Sequence, residues 1–284
     1  MRFSVIIPTY NRAPKLRRCL DSLVSQSYKD FEVIVCDDGS TDNSKEVAAE
    51  FSTSLNIVYQ HDENWGGPAK PRNKGGELAE GDYVCFLDSD DWWEPNKLLV
   101  LNSSITSAYQ VYYHTMLISS DDNEHGLINC RQVDNTNPKV DLLLNLNTIP
   151  TSSVCIETSL FRAAGGFSLA KELIGLEDYD LWIRLGDFGA KFKLIKECLG
   201  IYFIGSTDNI TLEDRRQIRK FDYLYRQYID NASLFHIKNK ISASLAFHTG
   251  RIIQDNNLDE PSINHYMFGL RYGSLRVRMM IVKR

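Results

Sequence analysis

The sequence predicts an α/β fold with a mostly parallel central sheet flanked by helices, followed by a helical C-terminal extension. Short apolar, β-branched segments alternate with segments of helical periodicity along the N-terminal part of the chain. This alternation implies right-handed crossovers and a parallel sheet covered on both faces. Of the 284 residues, 43% are hydrophobic and 24% are charged, which is ordinary globular usage and excludes a disordered, collagenous or coiled-coil chain.

Four strands and three helices are predicted before the pair of tryptophans at 92 and 93. The strands cover 3–7, 31–36, 56–60 and 83–87, and the helices between them cover 14–24, 43–51 and 71–79. Pro14 fits the first turn of the first helix, where its missing N–H costs nothing. Asn43 and Glu46 have the spacing of a capping box for the second helix.

After Trp93 the periodicity weakens. Helices are predicted over 95–107, 160–164 and 178–186, and strands over 111–119, 153–157 and 193–204. The polar segment 121–138 is expected to be a surface excursion, and Gly165-Gly166 is expected to break the chain. From Leu212 onward the pattern is helical, with a soft break around 255–261.

Charge and cysteine usage exclude several function classes. The net charge of −5 argues against general nucleic-acid binding through a basic surface. No apolar run approaches the roughly 18 residues needed to cross a bilayer, and the apolar run before Pro8 is too short for a signal peptide. The six cysteines contain no C-x-x-C, so neither a zinc site nor a disulfide framework is indicated. These features predict a cytoplasmic protein.

Three polar clusters follow predicted strands, where ligands of parallel sheets bind. They are Thr9-Tyr10-Asn11, Asp37-Asp38 and Asp88-Ser89-Asp90-Asp91. In the last cluster, two carboxylates one residue apart can hold a divalent cation and a diphosphate bound to it, although a capped turn has the same sequence.

Two further segments have both a functional and a structural interpretation. A carboxylate of the Asp37-Asp38 pair can accept from a nucleobase N–H or from ribose hydroxyls, but Asp-Gly-Ser also favours an Asx turn. Glu177-Asp178-Tyr179-Asp180 begins an amphipathic helix, where acids usually cap the helix and where a catalytic base can also lie. Arg72, between two Gly-Gly pairs, can approach phosphates. No nucleophile elbow, G-x-G-x-x-G or P-loop sequence is present.

Taken together and in order, these segments resemble family 2 glycosyltransferases. The matching stretches are Pro8-Thr9-Tyr10-Asn11-Arg12, Asp37-Asp38-Gly39-Ser40, Arg72-Asn73-Lys74-Gly75, Asp88-Ser89-Asp90-Asp91 and Glu177-Asp178-Tyr179-Asp180. The resemblance spans about residues 3–186. It implies a GT-A fold, a nucleotide-diphosphate sugar donor, Mn²⁺ or Mg²⁺, and inversion at the anomeric carbon. It also implies a catalytic domain over 1–210, with a nucleotide-sugar part at about 1–95 and an acceptor part at about 96–210, and an extension over 211–284.

The resemblance assigns a role to each matching residue. Pro8, Thr9 and Tyr10 would line the nucleoside pocket, Asp38 would bond the uracil edge of a UDP-sugar, and Arg72 would lie beside the nucleotide. Asp88 would meet the ribose or the metal, and Asp90 the metal. Asp91 would lie by the donor sugar, Glu177 in the acceptor site, and Asp178 would be the general base. The sequence departs from many relatives at Ile201-Tyr202-Phe203-Ile204-Gly205, which lacks the Arg and His of a Tyr-Arg-x-His stretch, so another group or water must replace them.

The acceptor side and the C-terminus carry two further predictions. Trp93 follows the acidic cluster and its ring suits the C–H surface of a sugar, with core packing as the alternative. Over 262–284 there are five basic residues and no acidic one, interleaved with aromatic and aliphatic residues. This pattern predicts an interfacial helix on an anionic membrane surface, with a core-packed helix as the alternative. Such docking would suit a glycan or polyprenyl-diphosphate-linked acceptor of O-antigen or capsule type.

Two other classes remain open from the residues. A non-catalytic nucleotide-sugar binding module would not need Asp178. A sugar nucleotidyltransferase typically has a Gly-rich stretch after the first strand, which is absent here.

Overall fold

The computed structural model describes residues 1–121, 123–205, 215–258 and 261–283. One curled sheet has the strand order β3-β2-β1-β4-β8-β6-β9-β5, and β7 pairs with β6 beside this path. The strands are β1 (Phe3–Thr9), β2 (Phe31–Asp37), β3 (Ile57–His61), β4 (Tyr83–Phe86), β5 (Trp92–Trp93), β6 (Val111–Ser119), β7 (Glu124–Leu127), β8 (Cys155–Glu157) and β9 (Phe192–Phe203).

The N-terminal half of the sheet is parallel, as predicted. β1 pairs in parallel with β2 and β4, and β2 pairs in parallel with β3. Side chains of β1 alternate between two cores, because successive residues of a strand point to opposite faces. Val5 and Ile7 pack in one core with Leu16 and Leu20, and Ile6 packs in the other with Phe161. The chain therefore needs helices on both faces of these strands.

The second half of the sheet is mixed. β8 joins β4 and β6 in antiparallel orientation, β5 joins β9 in antiparallel orientation, and β6 runs parallel to β9. The segment 121–138 contains the short strand β7, whose four residues are all exposed. The predicted surface excursion is therefore partly a β-hairpin with β6.

The helices lie on both faces of the sheet and beyond its C-terminal strands. They are α1 (Ala13–Val24), α2 (Ser44–Glu50), α3 (Ala69–Leu78), α4 (Lys97–Ser104), α5 (Pro138–Asn145), α6 (Thr158–Ala163), α7 (Glu177–Asp187), α8 (Arg215–Ile229), α9 (Lys238–Asp255), α10 (Ser262–Tyr272) and α11 (Leu275–Val282), with 3₁₀ turns at Thr151–Ser153, Lys171–Leu173 and Ala232–Ile237. Sequence periodicity missed α5, which begins at a proline preceded by a capping asparagine, Asn137.

The predicted capping box at the start of α2 is wrong. Asn43 makes no side-chain capping bond, and the carboxylate of Asp42 accepts from the Ser44 N–H at 3.1 Å and from the Ser44 hydroxyl at 2.6 Å. The other Asp42 oxygen accepts from the Ala13 N–H at 2.9 Å, at the start of α1. One carboxylate one position earlier thus serves two helix starts.

The C-terminal helices pack against the rest of the chain. Leu224 and Tyr225 of α8 and Ile241 of α9 belong to the same hydrophobic cluster as Tyr179 of α7. The predicted helix start at Leu212 and the boundary between 210 and 211 lie outside the described residues. Within the described part of the chain, no helix is long and apolar enough to span a bilayer.

Candidate active site

A cavity of about 1110 Å³ opens at the carboxyl ends of β1, β2 and β4. The three polar clusters identified from the sequence contribute to its wall, as the parallel topology requires. Of the predicted site residues, the following line it: Pro8, Thr9, Tyr10, Asp38, Arg72, Asp88, Asp90, Glu177 and Asp178. Asp91 and Trp93 do not line it.

In the Asp37-Asp38 segment, one carboxylate makes the predicted Asx turn and the other faces the cavity. The Asp37 carboxylate accepts from the Ser40 N–H at 2.7 Å and so makes the Asx turn. The Asp38 carboxylate faces the cavity, where its two oxygens accept from the backbone N–H groups of Trp65 at 2.8 Å and Gly66 at 3.0 Å. Each oxygen has two lone pairs, so Asp38 can still accept from a ligand.

Arg72 joins two acidic segments at the floor of the cavity. Its guanidinium donates to Asp88 at 2.6 Å and to Glu177 at 2.8 Å, and it is only 3% exposed. Burial alone would lower the pKa of Arg72, but the charges of Asp88 and Glu177 more than offset this and raise it. Glu177 is fixed further by the Gly175 N–H at 2.5 Å. Arg72 is therefore a fixed cation among carboxylates.

Asp88 and Asp90 form the acidic edge of the cavity. Asp90 pairs with Arg12 at 2.8 Å, and its side chain is only 13% exposed. Burial and then the charge of Asp88 raise the pKa of Asp90. In the described ranges, no group of three or more His, Cys, Asp or Glu side chains is arranged to hold a metal on its own. The carboxylates of Asp88 and Asp90 each pair with a guanidinium, that of Arg72 and that of Arg12.

Asp178 lies in the first turn of α7 and faces the same cavity. One carboxylate oxygen accepts from the Thr151 hydroxyl at 3.0 Å and the other from the Tyr179 N–H at 2.6 Å. Burial and then the charge of Glu177 raise the pKa of Asp178 to about 7. Asp180, the other candidate in this helix, pairs with Arg184 at 2.8 Å and does not line the cavity. A carboxylate with this pKa can take a proton near neutral pH.

Two predicted sugar-binding residues lie in the interior instead. Trp93 is 2% exposed, its indole N–H donates to the Ser152 carbonyl at 2.8 Å, and Lys97 Nζ lies 3.0 Å from its ring centroid. Asp91 is 1% exposed and accepts from the Phe203 N–H at 2.8 Å. Asp91 therefore ties the acidic loop to β9, whereas the Trp93 side chain packs against Ser152 and Lys97, as its core alternative expected.

Sequence reasoning missed the part of the wall that comes from the C-terminal helices. Gln217 and Phe221 of α8 and His248 and Arg251 of α9 line the cavity together with Tyr202 of β9. No motif marked these residues, because a single histidine without ligand spacing carries no signal. Tyr202 belongs to the stretch that lacks the Arg and His expected from the resemblance.

The first half of the sheet is parallel, as in many nucleotide-binding proteins, and antiparallel strands extend it. An acid-lined cavity opens at the carboxyl ends of the parallel strands. This arrangement is the GT-A fold. Residues 4–160 match the family model described as "Glycosyl transferase family 2", and the chain belongs to this family. The amylovoran biosynthesis glycosyltransferase AmsB of Erwinia amylovora is 33% identical over 211 residues, which cover 70% of this chain and 69% of AmsB.

Other similarities are shorter or concern the fold alone. The poly(ribitol-phosphate) beta-N-acetylglucosaminyltransferase TarS of Staphylococcus aureus is 45% identical over 95 residues, 32% of this chain and 17% of TarS. The crystal structure of a TarS fragment in complex with UDP-GlcNAc matches 99% of this chain and 84% of that one, with a TM-score of 0.71 and 21% identity. The mannosyltransferase PcManGT of Pyrobaculum calidifontis, in complex with GDP-Man and Mn²⁺, matches 99% of this chain and 79% of that one, with a TM-score of 0.61 and 17% identity.

Proposed function

We propose that this protein is an inverting hexosyltransferase that moves a sugar from a UDP-sugar to a hydroxyl of a glycan or lipid-linked glycan. The observation that carries the proposal is the position of Asp178, which lines the same cavity as Asp38, Asp88 and Asp90. Burial and the charge of Glu177 raise its pKa to about 7, which suits a general base near neutral pH. UDP is favoured because the similar TarS fragment was crystallised with UDP-GlcNAc. The acceptor class follows the bacterial polysaccharide enzymes among the relatives.

The donor would lie at the end of the cavity nearest β1 and β2. There Pro8, Thr9 and Tyr10 would line the nucleoside pocket, and Asp38 would accept from the uracil N–H. Tyr10 is 47% exposed and lies against the opening of the cavity, where a ring can cover a flat base. Arg12 and Arg72 bring positive charge to the place where the diphosphate would lie.

Mn²⁺ or Mg²⁺ fits the acidic edge of the cavity if the donor completes its ligand set. Mg²⁺ is typically held by one or two carboxylates plus substrate phosphates, and Asp88 and Asp90 offer two. The raised pKa of Asp90 reflects burial and repulsion from Asp88, which a cation between them would relieve. When bound, the ion would offset negative charge on the departing diphosphate. The stretch around Phe203 contains no histidine that could bind the ion in place of a donor phosphate.

Transfer would proceed by a single displacement. The oxygen of the acceptor hydroxyl forms a bond to the anomeric carbon while the bond from that carbon to the diphosphate oxygen breaks, and UDP leaves with the electron pair. The hydroxyl proton passes to the Asp178 carboxylate, which Thr151 and the Tyr179 N–H hold in place. Attack from the side opposite to UDP inverts the anomeric centre, so an α-linked donor gives a β-linked product.

The test separates this function from the two alternative classes. The full chain is incubated with UDP-GlcNAc, UDP-glucose and UDP-galactose, with and without a panel of p-nitrophenyl glycosides, and released UDP is measured. We expect release that depends on acceptor, and a β-linkage in the product by NMR. UDP binding without release would identify a binding module. Pyrophosphate release from UTP and a sugar 1-phosphate would identify a nucleotidyltransferase.

We also propose that α10 and α11 rest on an anionic membrane surface on the cytoplasmic face. Their inner residues Tyr266, Val277 and Ile281 pack with Phe247 of α9, as the core alternative expected. Their outer face is nevertheless apolar, with Leu275 at 73%, Met279 at 52% and Val282 at 78% exposure.

The charge around this outer face favours lipid as its occupant. Spacings of four and three residues place Leu275, Met279 and Val282 on one side of α11. The exposed cations Arg271 of α10 and Arg278 of α11 lie on the same two helices, and the exposed Lys283 follows directly after α11. An apolar stripe flanked by cations fits the headgroup region of an anionic leaflet, where each cation contributes about 1 kcal/mol.

A further inference from the structure

His248 of α9 lies in the wall of the cavity with its polar atoms unsatisfied. The residue is 8% exposed, and within the described residues neither ring nitrogen has a hydrogen-bond partner. Burial and the charge of Arg251 lower its pKa to about 3, so the ring is neutral and offers one donor and one acceptor. Buried polar groups are almost always hydrogen-bonded, so an unsatisfied imidazole at a ligand cavity points to a ligand.

A chain of contacts places His248 on the Asp178 side of the cavity. Tyr179 follows Asp178 in α7, and its hydroxyl lies 3.0 Å from that of Tyr225. The Tyr225 ring centroid is 5.9 Å from that of His248. The proposed nucleoside residues, in contrast, come from the end of β1. His248 is therefore tied by packing to the segment that carries the proposed base.

The surroundings of His248 have the chemistry of a saccharide subsite. The Phe221 ring stacks on the imidazole, with centroids 3.9 Å apart and an interplanar angle of 13°. Phe221 and the buried amide of Gln217 line the cavity next to it. Aromatic surface suits the C–H face of a sugar, and a sugar hydroxyl can both donate to and accept from a neutral imidazole.

We propose that Phe221 and His248 form a subsite for the acceptor sugar, in which His248 hydrogen-bonds a hydroxyl other than the one that attacks. The inference rests on the proposed function and adds to it a residue pair that recognises the acceptor. It assigns the C-terminal helices α8 and α9 to acceptor recognition.

The decisive variant is His248→Phe, which keeps an aromatic ring in the stack and removes both nitrogens. Replacing an unsatisfied polar group by an apolar one of similar shape is close to neutral for stability, so the melting temperature is expected to be unchanged or higher. His248→Gln, which restores a donor and an acceptor, is the rescue variant. His236→Phe, at an exposed position in the 3₁₀ turn Ala232–Ile237, is the matched control.

KM is measured separately for UDP-GlcNAc and for the best p-nitrophenyl glycoside, and UDP affinity by calorimetry. We expect His248→Phe to raise the acceptor KM about tenfold, which corresponds to the loss of one hydrogen bond. The donor KM and the UDP affinity should be unchanged. We expect His248→Gln to recover part of the loss and His236→Phe to behave as wild type. If His248→Phe is active and its acceptor KM is unchanged, the proposed subsite is wrong while the proposed function still stands. A wild-type chain that neither binds UDP nor releases it from any donor overturns the proposed function itself.

Discussion

The Arg72 guanidinium donates to the Asp88 carboxylate at 2.6 Å, joining α3 to the acidic loop after β4 through a partly buried ion pair. The same guanidinium reaches Glu177 at the start of α7. Three segments, one of them 105 residues away from Arg72, thus meet at one fixed cation, and the positions of Asp88 and of the first turn of α7 depend on it.

Arg72→Met should destabilise the protein by about 3–5 kcal/mol, because it leaves the buried carboxylate of Glu177 and the partly buried carboxylate of Asp88 without their partner. The free energy of unfolding is measured by urea denaturation. Arg226→Met, which removes an exposed ion pair with Asp222, is the control and should change it little. Adding Glu177→Gln to Arg72→Met should recover part of the loss. Equal stability of Arg72→Met and wild type would contradict this account of the cavity floor.

Asp178→Asn should reduce transfer by about two or more orders of magnitude while UDP affinity stays near that of wild type. Asp187→Asn, at an exposed carboxylate of the same helix, is the matched control. The two variants are compared by UDP release and by calorimetry with UDP. Full activity of Asp178→Asn would remove this residue from the base role.

The rate of transfer should rise with pH through about 7, since only the carboxylate form of Asp178 can take a proton. Stability should move in the opposite direction. The folded pKa lies above the unfolded value of about 3.9, so folding disfavours the charged form and Asp178 costs stability increasingly from about pH 4 to about pH 7. Above pH 7, Asp178→Asn should therefore melt no lower than wild type. A rate that is flat from pH 5 to 9 would contradict the assignment.

Asp90→Asn should abolish transfer that depends on Mn²⁺ or Mg²⁺ without unfolding the protein. The raised pKa of Asp90 means that its charge is costly in the fold, so the neutral amide is tolerated. Activity is measured with added Mn²⁺, with added Mg²⁺ and with excess chelator, and the melting temperature is recorded. Glu50→Gln, at an exposed ion pair with Arg17, serves as the control. Undiminished turnover in chelator would show that the metal is not required.

Trp93→Ala should lower the free energy of unfolding by about 3–5 kcal/mol, as expected for a large side chain in a closed core. Urea denaturation measures the change. A raised acceptor KM at unchanged stability is the result that would return Trp93 to the sugar site.

Membrane docking is tested by sedimentation with phosphatidylglycerol and phosphatidylcholine vesicles. Binding to the anionic vesicles should fall with salt and be lost in the triple variant Leu275→Ser, Met279→Ser, Val282→Ser. Leu169→Ser, at an exposed leucine outside α10 and α11, should bind as wild type. Substitution is preferable to deleting the helices, since Tyr266, Val277 and Ile281 pack against α9. Equal recovery in the supernatant with both lipids would refute docking.

Much of the site follows from local sequence pattern and parallel topology. Strands of β-branched residues ending in Thr9-Tyr10, Asp37-Asp38 and Asp88-Ser89-Asp90 bring those groups to one edge, because the carboxyl ends of parallel strands coincide. Local pattern alone left open whether the Asp37-Asp38 pair meets a ligand or makes an Asx turn, and only the family resemblance assigned Asp38 to the nucleotide. In the fold, Asp37 makes the turn and Asp38 faces the cavity.

The sequence by itself determined the α/β class, the order of the elements from β1 to β4 and the acidic edge, since hydrophobic period and strand polarity are local properties. Only the tertiary structure decided that Trp93 is buried while its neighbour Trp92 is partly exposed. Successive strand residues face opposite sides of a sheet, and which side is covered depends on the packing of the whole chain. The pairing of Arg72 with Glu177, 105 residues apart, and the presence of His248 in the cavity wall were also decided there. Such contacts depend on how helices pack across the sheet, and no spacing along the chain records that packing.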